Sequence, residues 1–437
     1  MTQLRDIRSS DAGTQRPVPV PPGEALELVI QGSSLLFVNA ATTEETINAG
    51  ARIARALGHD ALVIPRWGEL AVRAEDEHRT LHDIASVSPV AIDMHKVLAT
   101  SRTIDLISEG RLLADAARSA FAKIESLPPV SLGRFTLAAA WGACALAIVF
   151  GATHPVTFPL IAFSAGAGAL LRRGLSHLSR NLFIQPLAAA LLAGLVGGFA
   201  QRAGLSSSLE LIAVTPCMVL VPGPHFLNGL MDLAWARLAL GSFRLAYAGL
   251  VVVAICAGLF LGLGLVGATL PVSPPSRSVP LWVDVAAAAA AVAAYASFYS
   301  MPWRYVPLPL LVGAMAHALR WWALATGATS VAAAFLACLF VGLVMSPLGS
   351  RLRLPYAALS FAAVVSLVPG VFLFRMGSGL VQLALLGERA PLELPTVVLG
   401  DLATAGLTLL AMGSGLILPK LLARRSRLEG LEYVCHP

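Results

Sequence analysis

Residues 220–233 read Leu-Val-Pro-Gly-Pro-His-Phe-Leu-Asn-Gly-Leu-Met-Asp-Leu. This stretch belongs to a long apolar segment, yet it contains Pro222 and Gly223, which interrupt helical hydrogen bonding. The tripeptide Val-Pro-Gly returns at 368–370, and the two copies are 147 residues apart. Backbone groups freed at membrane depth persist only where protein or a water-filled cavity satisfies them. The pattern therefore predicts two broken helices in a membrane protein.

Two further landmarks share the spacing of 147 residues. Gly133 and Pro280 each open an apolar segment, and Pro155 and Pro302 each lie near the start of the next one. We therefore predict two related halves of five spans each. An odd number of spans makes the second half enter the membrane from the opposite side, which gives an inverted repeat, a common plan among secondary transporters.

The composition also favours a membrane protein. The chain is 57% hydrophobic and 13% charged, whereas soluble domains carry about 25% charged residues. A helix that crosses a bilayer needs about 20 predominantly apolar residues, and ten segments near that length follow one another. We predict spans at about 133–151, 154–171, 181–200, 209–235, 243–270, 280–299, 304–322, 328–347, 356–375 and 396–419.

The predicted fold class is a mainly α membrane protein preceded by a small α+β cytoplasmic domain. Charge-rich sequence before about residue 132 and apolar sequence after it set the boundary. The predicted parts are a disordered tail at 1–23, the α+β domain at 24–132, a first membrane half at 133–271, a second half at 272–419 and a cytoplasmic tail at 420–437.

Within the α+β domain, capping residues and turns mark the elements. Thr42 and Glu45 have the spacing of a capping box at the start of a second helix, and Gly58 ends that helix. Short β-rich runs at 61–65, 68–74 and 80–87 indicate a hairpin or small meander. Helices are expected within 93–126, on either side of Gly110.

The placement of positive charge orients the spans. Arginines concentrate in the loops that share a side with the N-terminal domain, and cytoplasmic loops carry such an excess. We therefore predict that both termini are cytoplasmic and that the bacterial inner membrane is the location. The eight loop arginines on that side are Arg172, Arg173, Arg180, Arg237, Arg244, Arg304, Arg351 and Arg353, against Arg202, Arg277, Arg320 and Arg389 on the other.

Other classes of function find little support. The net charge of +6 comes without a nucleic-acid signature, and the five scattered cysteines have no metal-ligand spacing. Seven polar residues of the α+β domain invite a metal-site interpretation, but their spacings match no zinc or hydrolase pattern. We predict no enzyme activity, no metal and no cofactor. Those seven are His59, Asp60, His78, His82, Asp83, Asp93 and His95.

Paired breaks in two inverted halves are the best sequence indication of a transport site. His225, Asn228 and Asp232 follow the first break, and the last two share one helical face. An ionisable group inside a membrane costs roughly 2.5–3.5 kcal/mol on insertion scales, which favours a functional role. Asp232 would take up a proton or hold a substrate ammonium. The complete set of pathway candidates is Pro222, Gly223, His225, Asn228, Asp232, Pro369, Gly370, Arg375, Asp401 and Asp284.

The residues just described resemble the threonine/serine exporter family from about Glu24 to Leu418. The stretch at 35–64, which contains Asn-Ala-Ala-Thr-Thr where the family has a small-residue turn, is similar to the family's cytoplasmic domain. The Leu-Val-Pro-Gly, Asn and Asp positions of 220–233 resemble its membrane motif, and 366–370 resembles the counterpart in the second half. The resemblance implies export of L-threonine and L-serine driven by the proton-motive force.

Three alternatives remain open from the sequence. Relatives whose two halves are separate proteins are associated with dicarboxylate export, for which Arg375, Arg320 or helix N-termini at the breaks would bind carboxylates. A membrane-anchored hydrolase or a sensor would use the soluble domain instead. The expected partners are a small-molecule substrate, protons and the lipid bilayer, with no nucleic acid. A homo-oligomer is compatible with the sequence, which fixes no oligomeric state.

Overall fold

A computed structural model of the protein describes residues 20–76, 79–205, 209–272 and 279–432. Most of the predicted N-terminal tail, the last five residues of the C-terminal tail, His78, Arg277 and Cys435 lie outside the described residues.

The N-terminal region begins with two helices joined by a tight loop. They are α1 (Pro22–Val38) and α2 (Thr43–Ala56). The side chain of Thr42 accepts a hydrogen bond from the Glu45 backbone N–H, and the Glu45 carboxylate accepts one from the Thr42 N–H. The predicted capping box is therefore confirmed, and it fixes the first turn of α2.

A three-stranded antiparallel sheet follows, in the order β1 (Asp60–Arg66), β2 (Glu69–Asp76) and β3 (Arg79–Ser86). Val63 on β1 pairs with Val72 on β2, and both are buried together with Leu70. Because side chains alternate across a strand, this face packs on α1 and α2 while Leu62 and Ile64 face outward. The predicted meander is confirmed.

Two more helices complete this region. They are α3 (Met94–Ser108) and α4 (Ala114–Glu125), and Gly110 adopts a positive φ of 69° between them. The side chain of Asp93 caps α3 by accepting bonds from the His95 and Lys96 N–H groups.

Twelve helices make up the remainder of the described chain. In order they are α5 (Leu132–Val149), α6 (Thr157–Leu178), α7 (Ile184–Arg202), α8 (Leu209–Met218), α9 (Gly223–Ala234), α10 (Leu238–Leu265), α11 (Leu281–Phe298), α12 (Pro307–Ala325), α13 (Ser330–Leu352), α14 (Tyr356–Val364), α15 (Gly370–Leu386) and α16 (Glu393–Glu432), with short 3₁₀ segments at Trp303–Tyr305, Val365–Leu367 and Gly387–Arg389.

Among the described residues, eight of these helices are long and apolar enough to cross a membrane, so the chain is a multi-pass membrane protein. They are α5, α7, α10, α11, α12, α13, α15 and the apolar part of α16. The pair α8 and α9, bent by 57°, would make a ninth. α6 is not among them because Arg172 and Arg173 near its end lower its mean hydropathy. The count of ten spans stays a prediction.

Helix packing follows the same pattern in two sets of six. In the first set, α5 packs on α6 and α8, α6 on α7 and α8, α7 on α8 and α10, and α9 on α10. In the second, α11 packs on α12 and α14, α12 on α13 and α14, α13 on α14 and α16, and α15 on α16. The two sets meet where α5 packs on α11.

Glycines allow the closest of these contacts. A Cβ on Gly262 of α10 would lie 2.2 Å from the carbonyl oxygen of Leu191 on α7, and one on Gly258 would lie 2.1 Å from that of Leu187. In the second set, a Cβ on Gly342 of α13 would lie 2.9 Å from a backbone oxygen of α16. Small residues let membrane helices approach closely, and the van der Waals contact between backbones stabilises the pair.

We predict that Gly262→Ala lowers the thermal stability of the purified protein, because the new methyl group cannot fit without separating α7 from α10. Overpacking of this kind costs about 1–3 kcal/mol. The matched control is Gly264→Ala on the same helix, where an added Cβ meets nothing within 4 Å. Equal melting temperatures for the two variants in detergent would contradict the close packing of α7 on α10 at Gly262.

Candidate functional site

The two Val-Pro-Gly sequences interrupt their helices with similar backbone geometry. Pro222 precedes α9 with φ −81° and ψ 64°, and Pro369 precedes α15 with φ −76° and ψ 50°. Both prolines lack an N–H and end the hydrogen-bond ladder of the preceding helix. Of the other prolines in this region, Pro216 lies inside α8 and Pro224 in the first turn of α9.

The two breaks pack against each other. A Cβ on Gly223 would lie 3.0 Å from Cγ2 of Val365, and one on Gly370 would lie 3.1 Å from Cγ of Met218. Each break therefore contacts the region of the other, and a side chain at either glycine would crowd the junction.

A small cavity lies at this junction. Its volume is about 10 Å³, which is room for roughly one water molecule. The site is therefore closed around a space too small for an amino acid. Its walls come from both sets of helices: Leu146, Met218 and Val221 from the first, and Tyr295, Val365, Ser366, Val368 and Gly370 from the second.

Asp232 lies near the end of α9 and is 1% exposed. Thr43, the first residue of α2, donates its hydroxyl to Oδ2 of Asp232 at 3.0 Å. Nε of Arg244 lies 3.5 Å from the same oxygen, and Nη1 of Arg237 lies 3.4 Å from Oδ1. A buried carboxylate needs such partners, and here one of them comes from the N-terminal domain.

Asn228, one turn before Asp232, also contacts the N-terminal domain. Its side-chain amide donates to the carbonyl oxygen of Ala40 at 3.1 Å. Ala40 adopts a positive φ of 70°, which is unusual for a residue with a Cβ. The Asn39 side chain bonds the Leu35 carbonyl and stabilises this bend. The loop between α1 and α2 is thus shaped to reach α9.

His225 occupies an aromatic cluster rather than the ionic one. Its ring packs edge-on against Tyr247 of α10 with centroids 5.1 Å apart, and Tyr247 in turn meets Trp67 from the β1–β2 turn at 5.5 Å. His225 is buried. Packing between the sheet and α10 therefore explains its position.

Arg375 and Asp401 form a second buried pair, separate from the first. Nε of Arg375 on α15 lies 3.3 Å from Oδ2 of Asp401 on α16. Glu210 on α8 is close enough to interact with Arg375 electrostatically. Arg375 lies six residues after Pro369, as Asn228 lies six residues after Pro222.

Asp284 belongs to a third group. Nδ1 of His317 on α12 lies 3.3 Å from Oδ2 of Asp284 on α11, and Nε2 of His317 lies 3.0 Å from Oγ of Ser366. All three side chains are buried, and Ser366 lines the cavity between the breaks. A continuous chain of hydrogen-bonding groups therefore connects Asp284 to the cavity.

The N-terminal domain docks on the membrane helices through further polar contacts. The Glu45 carboxylate accepts hydrogen bonds from the N–H groups of Tyr356 and Ala357 at the start of α14, where the helix dipole favours an anion. Met94 at the start of α3 donates its N–H to the Tyr299 carbonyl at 2.8 Å. Nζ of Lys420 lies 3.8 Å from Glu44.

An open cleft of about 920 Å³ lies between the domain and the membrane helices. Both signs of charge line it, including Glu44, Glu45, Arg237 and Arg353. Hydrogen bonds from Arg353 and Arg111 lower the pKa of Glu109 on its wall. The cleft is polar and accessible, unlike the cavity between the breaks.

The structure thus distributes the ten sequence candidates over separate groups. Gly370 lines the cavity, and Pro222, Gly223 and Pro369 belong to the two breaks whose valines, Val221 and Val368, also line it. The charged candidates form three separate clusters. For the residues described, no group of three or more His, Cys, Asp or Glu side chains has the geometry of a metal site.

Sequence reasoning missed several residues that complete these clusters. Arg244 was assigned to a cytoplasmic loop, which is wrong: α10 begins at Leu238, earlier than predicted, and Arg244 is 2% exposed inside the protein. An arginine six residues into a helix was the available signal. Thr43 and Ser366 gave no signal, because their partners are distant in sequence. His317, which was not among the ten sequence candidates, is fully buried.

The family models and the curated relative that match this chain are all described as threonine/serine exporters. The family model for the threonine/serine exporter matches residues 27–266, and a second model, described as "Threonine/Serine exporter", matches residues 284–422. A Mycobacterium tuberculosis protein named "Probable threonine/serine exporter" is 26% identical over 307 residues, which are 66% of this chain. The alignment spans 57% of that relative's length. No solved structure gives a significant match.

Proposed function

Because the chain belongs to the threonine/serine exporter family, we propose that it exports small hydroxy amino acids through a site between the two helix breaks. The observation that carries this proposal is the cavity lined by both breaks. Its present volume admits no amino acid, so transport requires the two sets of helices to move apart first toward one side and then toward the other.

We propose that the two sets of helices are inverted repeats of five spans each. The spacing of 147 residues, the matching backbone angles at Pro222 and Pro369, and the matching helix contacts support this plan. Two halves of opposite orientation that meet at a central site suit alternating access, in which one half rocks against the other.

The two buried ion-pair clusters support closure at opposite ends of the path. Asp232 lies beside the N-terminal domain through Thr43. Lys420 of α16 also lies beside that domain, and Asp401 precedes it by 19 residues on the same helix. At 1.5 Å per residue the separation is about 28 Å, nearly a membrane thickness. The Arg375–Asp401 pair is therefore the candidate for the far gate.

We place the N-terminal domain, and with it both termini, in the cytoplasm of a bacterium, with the helices in the inner membrane. The excess of arginine on the domain's side supports this orientation. In this arrangement the amino acid enters beside Asp232, and the Arg375–Asp401 pair separates when the site opens outward.

A proton antiport mechanism gains support from Asp284, His317 and Ser366. Asp284 precedes Tyr299, which contacts the domain, by 15 residues along α11, or about 22 Å. It therefore lies toward the outer side. A proton taken up by its carboxyl passes to Nδ1 of His317. The imidazole releases its Nε2 proton to Ser366, whose hydroxyl gives its own proton to the cavity. Arg320 lies near Asp284 and favours its return to the anion.

Dicarboxylate export is the second candidate. The buried guanidinium groups of Arg375 and Arg244 favour it, because each is suited to bind a carboxylate. Assignment to a transporter family argues against the hydrolase and sensor alternatives.

The first test is efflux of labelled L-threonine, L-serine and succinate from vesicles loaded with each and containing the purified protein. We expect threonine and serine to leave, faster with an inward proton gradient, and Asp232→Asn to abolish export while the protein stays folded. Efflux of succinate alone would favour the second candidate. If none of the three moves, the exporter proposal fails.

His317→Gln tests the proton path. We expect the variant to keep exchange of internal for external threonine but to lose the acceleration by a proton gradient, because glutamine cannot relay the proton. Ser366→Ala should behave alike, whereas Ser360→Ala, a buried serine of α14 not bonded to His317, should remain coupled. A His317→Gln variant with full gradient-driven efflux would exclude this path.

A further inference from the structure

We propose that Asp232, Asn228 and Arg244 form a binding site for an α-amino acid zwitterion, and that the N-terminal domain occupies this site with its own loop of residues 40–43. The inference rests on the proposed function. It places substrate recognition at the end of the transport path that lies beside the N-terminal domain. The substrate carboxylate would bind Arg244, and its ammonium would bind Asp232 and Asn228.

Arg244 has unused hydrogen-bonding capacity. It is 2% exposed, and within the described part of the chain Nε, Nη1 and Nη2 make no hydrogen bond. Its contact with Asp232, at 3.5 Å, is an ion pair without a hydrogen bond, and its guanidinium lies over the Phe37 ring, with 5.2 Å between Cζ and the centroid. A buried guanidinium offers five N–H donors. An incoming carboxylate would satisfy them in the bidentate geometry that arginine favours.

The acceptors for an ammonium group lie beside it. Asp232 and Asn228 are one helical turn apart on α9, so their side chains share one face. Oδ1 of Asn228 is buried and has no hydrogen-bond partner among the described residues. A carboxylate and an amide oxygen can together accept two of the three ammonium protons. Anion and cation sites thus lie side by side, as the two charges of a zwitterion require.

The domain already occupies two side chains of this site with groups of its own. The Thr43 hydroxyl donates to Asp232 at 3.0 Å, and the Ala40 carbonyl oxygen accepts from Asn228 at 3.1 Å. The left-handed backbone of Ala40 aims that carbonyl at α9. Because the Thr43 hydroxyl and a substrate ammonium would donate to the same carboxylate of Asp232, they compete, and the loop acts as a tethered competitor.

The route to the site begins at the open cleft between the N-terminal domain and the membrane helices. Arg237, which pairs with Asp232, also lines the cleft. When Thr43 and Ala40 withdraw, an amino acid in the cleft can take their place on Asp232 and Asn228. Release of the domain and loading of substrate are then one event.

Arg244→Gln tests the carboxylate contact, with binding of L-threonine and of L-threoninamide measured on the full-length protein in detergent. The amide keeps the ammonium and the hydroxyl but carries no negative charge. We expect the Kd for threonine to rise at least tenfold, while the Kd for threoninamide stays within twofold of wild type. Equal changes for both ligands, or no change for either, would overturn the assignment of Arg244, since a merely structural role affects both alike.

Thr43→Val tests the tethered competitor. Removing the hydroxyl weakens the docked loop but not the substrate's own contacts, so we expect the Kd for threonine to fall about five- to tenfold. The control is Thr46→Val on the same helix, whose hydroxyl bonds the Thr42 carbonyl within the domain and which should leave the Kd unchanged. Unchanged or weaker binding by Thr43→Val would overturn the competition.

Efflux from loaded vesicles separates this inference from the proposed function. If wild-type vesicles export threonine and Arg244→Gln treats the two ligands alike, only the site assignment fails. If wild-type vesicles export no amino acid, the proposed function fails and the inference fails with it.

Discussion

The structure depends on a constraint that two prolines impose inside a membrane. Pro222 and Pro369 cannot continue the helical ladder, and the carbonyl groups they leave must find partners in protein because lipid offers none. At the first break the Met218 carbonyl accepts hydrogen bonds from the Val221 N–H and the Tyr295 hydroxyl, and at the second the Val365 carbonyl accepts one from the Val368 N–H. The two breaks also pack on each other, with Gly223 against Val365 and Gly370 against Met218. The junction of the two sets of helices is thereby also their least regular point. Glycines bring α7 close to α10 and α13 close to α16, whereas a small cavity lies at the junction of the two breaks.

Charged side chains form buried pairs outside this junction, and none of them lines its cavity. Among the side chains that line the cavity only Ser366 and Tyr295 are polar, while buried ion pairs lie toward each end of the proposed path. Such pairs are weak sources of stability, because desolvation offsets their attraction. Buried ion pairs are suited to gates in a transporter. When a gate opens, each charged side chain can replace its protein partner with a substrate group or with water. The N-terminal domain adds Thr43 and Glu45 to one end only, which makes the two ends unequal.

Much of this arrangement was predictable from local sequence. Apolar length predicted most of the long membrane helices, and the Thr42–Glu45 spacing predicted the start of α2. Apolar length also predicted one span at 356–375, where the chain has the short α14 and a separate, longer α15. Contacts between distant segments were not predictable: Thr43 and Asp232 are 189 residues apart, and nothing in either neighbourhood indicates the other. Arg244 illustrates a different limit, because the count of positive charges treated as a loop residue an arginine that is buried beside a carboxylate.

Access to the junction tests whether the two breaks enclose a site that opens alternately to each side of the membrane. A cysteine introduced at Val368, after replacement of the native cysteines, would be probed in oriented vesicles with a membrane-impermeant thiol reagent. If access alternates, the cysteine is labelled from either face, and L-threonine changes the two labelling rates in opposite directions. Labelling from one face only, with and without threonine, would contradict alternating access.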